Sequence, residues 1–387
     1  MKTKHMCAIL GNLNQYEDLL PLTEHRPLAT LPFDCKYRLI DFALSSIVNA
    51  NISSVFMMFN EGETQSVFDH IGGGKEWNLD GVRNRYFIHV YQDLLKQKEE
   101  TENYYATIID FLEKSKTEYT VFMGSKMLCN IDLRAVLKIH QVQKNDMTVV
   151  YKRIQRDQVY PTDIVLKLGE GGKIDSAAKA EDIELGETVN LCADIYIIQT
   201  DQLIKALKEG QKVGTPVNLE TFLRGHITEL KSSTYEYTGY LSNIHDVPSY
   251  YQANMDMLNQ RQFSSLMYSS QKVYTKLKNE VPTYYATTSD VKNSQFASGC
   301  VVEGKVHRSL ISRSTTIAKD AVVEDTILMT NNEICEGAVV QYAILDKNVI
   351  VDPGVKIIGT PEKPMVVKKG AHVTADMMVD ALEENKA

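Results

Sequence analysis

Between residues 301 and 355 the chain repeats itself on a short period, and no other feature limits its fold as tightly. The segments Val301-Val-Glu-Gly-Lys-Val, Ile317-Ala-Lys-Asp-Ala-Val, Ile334-Cys-Glu-Gly-Ala-Val and Ile350-Val-Asp-Pro-Gly-Val start 16, 17 and 16 residues apart (317 − 301, 334 − 317, 350 − 334). In three of the four an aliphatic residue is followed four positions later by a small one. The pattern Ile-x-x-x-Ala-Val-Val-x-x-x-Ile-Leu occurs twice, at Ile317–Leu328 and Ile334–Leu345. A helix pair does not fit in so short a unit. One coil of a parallel β-helix does, and its aliphatic ladder is buried only by stacking on the next coil. Such a solenoid serves first as a rigid spacer or an oligomerisation element. His307 lies inside it, and a lone histidine there is more commonly solvated or packed than catalytic.

Upstream, residues 1–260 have a different texture. Short apolar runs (Met6–Leu10, Val55–Phe59, Tyr119–Met123, Met147–Tyr151, Ile195–Ile198) predict buried strands. Between them, Ile40, Ala43, Leu44 and Ile47 fall on one helical face, as do Tyr105, Ile108, Ile109 and Leu112. The alternation predicts βαβ units, a mostly parallel sheet and a ligand crevice at the strands' carboxyl ends. We therefore expect an α/β domain over 1–260, a connector over 261–290, and a β-helix with its tail over 291–387.

Composition removes several classes. With 42 basic and 50 acidic side chains, the net charge of −8 disfavours a nucleic-acid partner, which needs a basic face. No apolar run approaches the roughly 20 residues of a membrane span, and Met6–Leu10 is too short for a secretory signal. No two of the six cysteines lie closer than 28 residues (Cys7 to Cys35), so neither a zinc site nor a disulfide framework is expected. The chain reads as cytoplasmic.

The stretch Leu22-Thr-Glu-His-Arg-Pro, followed by Lys36-Tyr-Arg-Leu-Ile-Asp-Phe-Ala-Leu-Ser-Ser, resembles the glucose-1-phosphate adenylyltransferase (ADP-glucose pyrophosphorylase) family. So do His70-Ile-Gly-Gly-Gly-Lys-Glu-Trp-Asn-Leu-Asp and Ser249-Tyr-Tyr-Gln-Ala-Asn-Met-Asp. The resemblance spans nearly the whole chain. It implies a Rossmann-like, GT-A-like nucleotide-sugar transferase domain followed by a left-handed β-helix, in a tetrameric enzyme of glycogen synthesis.

The departures from that family concern its chemistry. Its active members carry a G-G-x-G-T-R-L loop, whose glycines let backbone N–H groups approach phosphates. Here the span reads Asn12-Leu-Asn-Gln-Tyr-Glu-Asp-Leu, with Tyr16 at a glycine and Asp18 at the arginine. The two carboxylates that hold magnesium in the family are replaced by Ser125 and Asn243, and neither supplies the charge a hard dication prefers. The nucleotide-binding segment is altered to Glu102-Asn-Tyr-Tyr-Ala-Thr107. Intact scaffold with lost chemistry points to a non-catalytic, regulatory-type subunit with no cofactor of its own. Magnesium is expected only in a catalytic partner, within a hetero-tetramer.

Some family positions persist. The resemblance makes Arg26 and Lys36 candidates for an anionic metabolite effector, although the family's next lysine is Leu28 here. Lys179 falls near a lysine that contacts glucose 1-phosphate, without the flanking glutamate and proline. Arg38 and Asp41 read first as helix-start contacts. Gly72-Gly-Gly-Lys75 is a weak phosphate-loop signal. Two alternatives stay open: an active nucleotidyltransferase with its metal moved to Asp132 and Asp246, and a sugar-phosphate-sensing binding protein.

Overall fold

The computed structural model describes residues 6–81, 85–93, 95, 104–212 and 217–379; the tail 380–387 lies outside them. At its centre is the strand Met6–Asn12, every residue of which is buried. A run that is apolar on both faces belongs between layers. In order, a single sheet joins Ile174–Lys179, Ile164–Leu168, Thr188–Gln199, Tyr119–Gly124, Met6–Asn12, Ser54–Phe59 and Arg85–Val90. Met147–Gln155 also pairs with Thr188–Gln199 and carries Ser232–Glu236 on its other side. One core layer on the sheet contains Leu44, Ile47 and Trp77; the opposite layer contains Ile108, Leu112 and Tyr196.

The expectation of a mostly parallel sheet needs correcting. Met6–Asn12, Ser54–Phe59, Arg85–Val90 and Tyr119–Gly124 are parallel, but Thr188–Gln199 pairs antiparallel with all of its neighbours. Its register shifts between Cys192 and Tyr196, where Asp194 takes φ +50°. This bulge lets one strand serve two neighbours on the same side: Leu166 and Val165 early, Tyr119 to Met123 late.

The helix Leu39–Asn49 starts as its sequence predicts. The main-chain N–H of Arg38 donates to Asp41 Oδ2 at 2.9 Å, satisfying a donor that the first turn leaves open. Asp41 also holds His70 at 2.5 Å, and the Arg38 guanidinium reaches the carbonyl of Ser66 at 2.7 Å.

Among the described residues the C-terminal coil has three faces, formed by parallel sheets of six, six and five short strands. Val302, Ile317, Ile334, Val351 and Val373 stack in register and are buried. Repeats aligned on Val301 and Ile350 are therefore off by one at these two rungs. Side chains alternate across a strand, so a one-residue slip turns an inward position outward, and Val301 and Ile350 are indeed exposed. The first rung, Tyr284–Tyr285, also starts before the expected residue 291. Tyr284 faces outward like Val301, while Tyr285 takes the inward register of Val302 at the open end of the coil, and an aromatic there hides the aliphatic repeat. Helix Gln260–Met267 occupies the start of the expected connector.

The two parts share a core. Leu28, Leu31, Phe33, Phe42 and Tyr250 of the α/β domain pack with Leu310, Ile327, Met329 and Ile344 of the coil. Each large side chain so buried contributes about 1.5–3 kcal/mol, so the seam is structural.

Candidate functional site

Gly11 and Gly124 are paired at the carboxyl ends of the two central parallel strands, where an open α/β sheet places its ligand crevice. The chain beyond Met6–Asn12 turns inward there. Tyr16 stacks edge-on against Tyr160, with ring centroids 6.1 Å apart. The ammonium of Lys126 lies 5.2 Å from the first ring and 4.9 Å from the second. Lys126 is 4% exposed and forms an ion pair with Asp163, which is 2% exposed. Asp163 Oδ2 also accepts from Asn243 Nδ2 at 2.7 Å and from the main-chain N–H of Tyr160 at 2.9 Å. Asn243 Nδ2 gives a further bond, 3.0 Å, to the carbonyl of Gln158. The Tyr160 hydroxyl donates to Asp18 at 3.2 Å, and its ring lies 4.7 Å from His245. Burial pulls the Lys126 pKa down, and Asp163 opposes that pull.

A second network closes the crevice from behind. The Arg224 guanidinium donates to both oxygens of Asp194, at 2.9 and 2.6 Å, and pairs with Glu220 at 2.8 Å. Asn14 Nδ2 donates to the same Glu220, and Tyr196 donates to Asp194 at 3.0 Å. Burial would lower the arginine, but Asp194 and Glu220 outweigh it and keep it charged. Burial and Asp194 push the Glu220 carboxyl up to about 7. Burial, then Glu220, raises the Tyr16 phenol, so it stays neutral. A Cβ added at Gly124 would come within 3.2 Å of the Asp194 Cβ and 3.4 Å of Glu220 Oε2. Side chains of the protein fill the space behind the strand end.

The residues present do not fit magnesium. Ser125 and Asn243 carry no charge, and the neighbouring cation is Lys126, already bound to Asp163. A dication beside a buried ammonium is electrostatically disfavoured. Asp132 and Asp246, the alternative metal carboxylates, both cap helices. Asp132 accepts from the N–H of Arg134 at 3.0 Å and Asp246 from that of Ser249 at 2.7 Å. Among the described residues no group of three or more His, Cys, Asp or Glu could hold a metal ion.

The remaining candidates separate. Arg26 is 6% exposed and forms an ion pair with Asp346 of the coil, 2% exposed, with Met329 alongside. Nearby, Lys347 is pushed down to about 7 by burial and then by Arg38 and Arg26. Burial lowers Arg38 to about 10. Lys36 faces elsewhere, over the Tyr37 ring at 4.9 Å. Lys179 is exposed and bridged to Glu181 at 3.2 Å. Gly74 and Asn78, both at positive φ, flank the short turn that buries Trp77, which gives the Gly72–Lys75 stretch a structural role. Glu102 and Asn103 lie outside the described residues.

Lys126, Asp163, Asp194, Glu220 and Arg224 were not legible as site residues. Only Asp194 left a signal, a carboxylate inside the buried run Leu191–Ile198.

A nucleotidyl transferase family model matches residues 17–161, and a GlmU-like C-terminal hexapeptide model matches 281–379. The glycogen biosynthesis protein GlgD of Bacillus subtilis is 30% identical over 96% of this chain and 97% of its own length. That of Geobacillus stearothermophilus is 33% identical over 94% and 96%. A glucose-1-phosphate adenylyltransferase of Clostridium perfringens is 26% identical over 86% and 87%. With this crevice and this coil in one chain, the protein belongs to the glucose-1-phosphate adenylyltransferase family, alongside the GlgD proteins.

Proposed function

We propose that the chain acts in glycogen biosynthesis as a non-catalytic, regulatory subunit. It assembles with a catalytic glucose-1-phosphate adenylyltransferase, which makes ADP-glucose from ATP and glucose 1-phosphate, and changes that enzyme's activity. One observation carries the reading: Lys126, paired with Asp163 and enclosed by Tyr16 and Tyr160, occupies the crevice where phosphate and metal chemistry would require open space and carboxylates. Phosphoryl transfer depends on positioning and on neutralising charge at the phosphates. A crevice closed by internal ion pairs offers neither. Relatives named for glycogen biosynthesis and for glucose-1-phosphate adenylyltransferase support the pathway assignment.

Control by an anionic metabolite is supported at the seam. Arg26, Arg38 and Lys347 bring cations from both parts together; Lys347, depressed first by burial, is depressed further by Arg38 and Arg26. An anion bound there would touch both parts at once. The sugar-phosphate-sensor reading rests on Lys179, whose exposed pairing with Glu181 provides no enclosed site.

The test is to purify this chain and a catalytic homologue, mix them, and measure ADP-glucose formation with and without candidate effectors. The expected result is a changed turnover or effector response at a fixed ratio of the two chains. An unchanged rate and no co-elution would refute the proposal.

A further inference from the structure

A cavity of about 410 Å3 lies where the hairpin of Pro32–Phe33 and Tyr37–Arg38 meets helix Gln260–Met267 and the first coil. It is separate from the crevice, and its charges have a definite order. Deep inside is Asp34, 4% exposed. Its main-chain N–H is bound to Asn254 Oδ1 at 3.1 Å, but its carboxyl oxygen Oδ1 has no hydrogen-bond partner among the described residues. A buried polar atom left unpaired is costly, and burial pushes this carboxyl up to about 7, with Lys36 opposing. The turn that places it also holds two successive residues at positive φ, Asp34 at 44° and Cys35 at 63°. The walls include the rings of Tyr37, Tyr268 and Phe296, and the exposed Lys36 and Lys272 stand at the rim.

We infer that this cavity binds a small zwitterion, with its ammonium on Asp34 between the aromatic walls and its carboxylate or phosphate on Lys36 and Lys272. A simple anion would meet the Asp34 carboxylate at the bottom, and a simple cation would meet two lysines at the entrance. An ammonium supplies the hydrogen-bond donor that Asp34 Oδ1 lacks, and it is favoured further by aromatic faces. The ligand's opposite end then neutralises the rim. A free amino acid and an amino-sugar phosphate share this chemistry.

Calorimetric titration of the full chain distinguishes the two sources with matched pairs: glucosamine 6-phosphate against glucose 6-phosphate, and phenylalanine against 3-phenylpropionate. In at least one pair, the ammonium-bearing member should bind about tenfold tighter or more, as loss of a charge-assisted hydrogen bond implies. The pair that responds identifies the anionic end. Asp34→Asn keeps the side chain's shape, and asparagine tolerates positive φ; it should abolish the preference. Tyr268→Ala removes an exposed ring and cannot unfold the core; it should weaken binding of the preferred member. Equal binding within both pairs, binding by no member, or a preference that survives Asp34→Asn would overturn the inference.

Discussion

The closed crevice and the seam between the two parts are built from the same material, buried ion pairs, yet they reach opposite states. In the crevice, Lys126 and Arg224 face Asp163, Asp194 and Glu220, and every charge has a partner within the network. At the seam, Arg26 has Asp346, while Arg38 and Lys347 add cations whose pKa values burial depresses. Two cations against three carboxylates leave the crevice no excess positive charge with which to hold an anion. The seam, where cations are in excess, retains an electrostatic reason to take one up. Under the proposed function, the inherited catalytic position is the inert region and the structural joint is the responsive one.

The comparison can be broken most forcefully at the seam. Asp346→Ala leaves Arg26 buried without its partner and should cost about 3–5 kcal/mol in denaturant unfolding. Arg26→Met with Asp346→Leu should restore most of that loss. A small effect of Asp346→Ala would show that the pair is hydrated and the seam loose. In the crevice, Lys126→Met should be milder, about 1–3 kcal/mol, because Asp163 keeps its bonds from Asn243 and the Tyr160 N–H. This variant should show no nucleotidyl transfer, since Ser125 and Asn243 still supply no metal carboxylate.

A finer test uses pH. Lys347 has a folded pKa of about 7, below its ordinary 10.5, so between these values the unfolded chain binds more protons. Its contribution to stability therefore rises with pH across that window, and the destabilisation is complete below about 7. Lys347→Met should flatten this dependence in thermal melts. A bound anion favours the ammonium, so sulfate, whose own charge is constant across this window, should bind more weakly as pH rises through about 7; an unchanged affinity would argue against Lys347 as a contact. The smallest effect is expected far from both regions. The exposed pair of Lys114 and Asp110, 2.7 Å apart on one helix, should lose at most about 0.5 kcal/mol on Lys114→Ala.

Much of the architecture was legible because periodicity is a local signal. The apolar runs around Met6 and Val55 and the face formed by Ile40, Leu44 and Ile47 needed no knowledge of their partners. The coil followed from Ile317 and Ile334, but not the register of Val301 and Ile350, where two adjacent aliphatics leave the inward one undefined. The antiparallel course of Thr188–Gln199 was hidden because a buried strand reads alike in either direction. The crevice was legible only as losses, at Tyr16, Asp18, Ser125 and Asn243. What replaced them depends on Lys126 meeting Asp163 across 37 residues and Asp194 meeting Arg224 across 30. Pairings of that kind leave no spacing rule in a single sequence. Arg26 likewise looked available for ligands until Asp346, 320 residues away, was seen to hold it.

The central claim is that the closed crevice performs no nucleotidyl transfer. It is tested most directly by assaying the purified chain alone for magnesium-dependent pyrophosphorolysis of ADP-glucose, in parallel with Asp132→Ala and Asp246→Ala. The account predicts no turnover above the background of a protein-free control for all three. Magnesium-dependent ATP formation by the unaltered chain, abolished by either substitution, would contradict it and establish a relocated metal site.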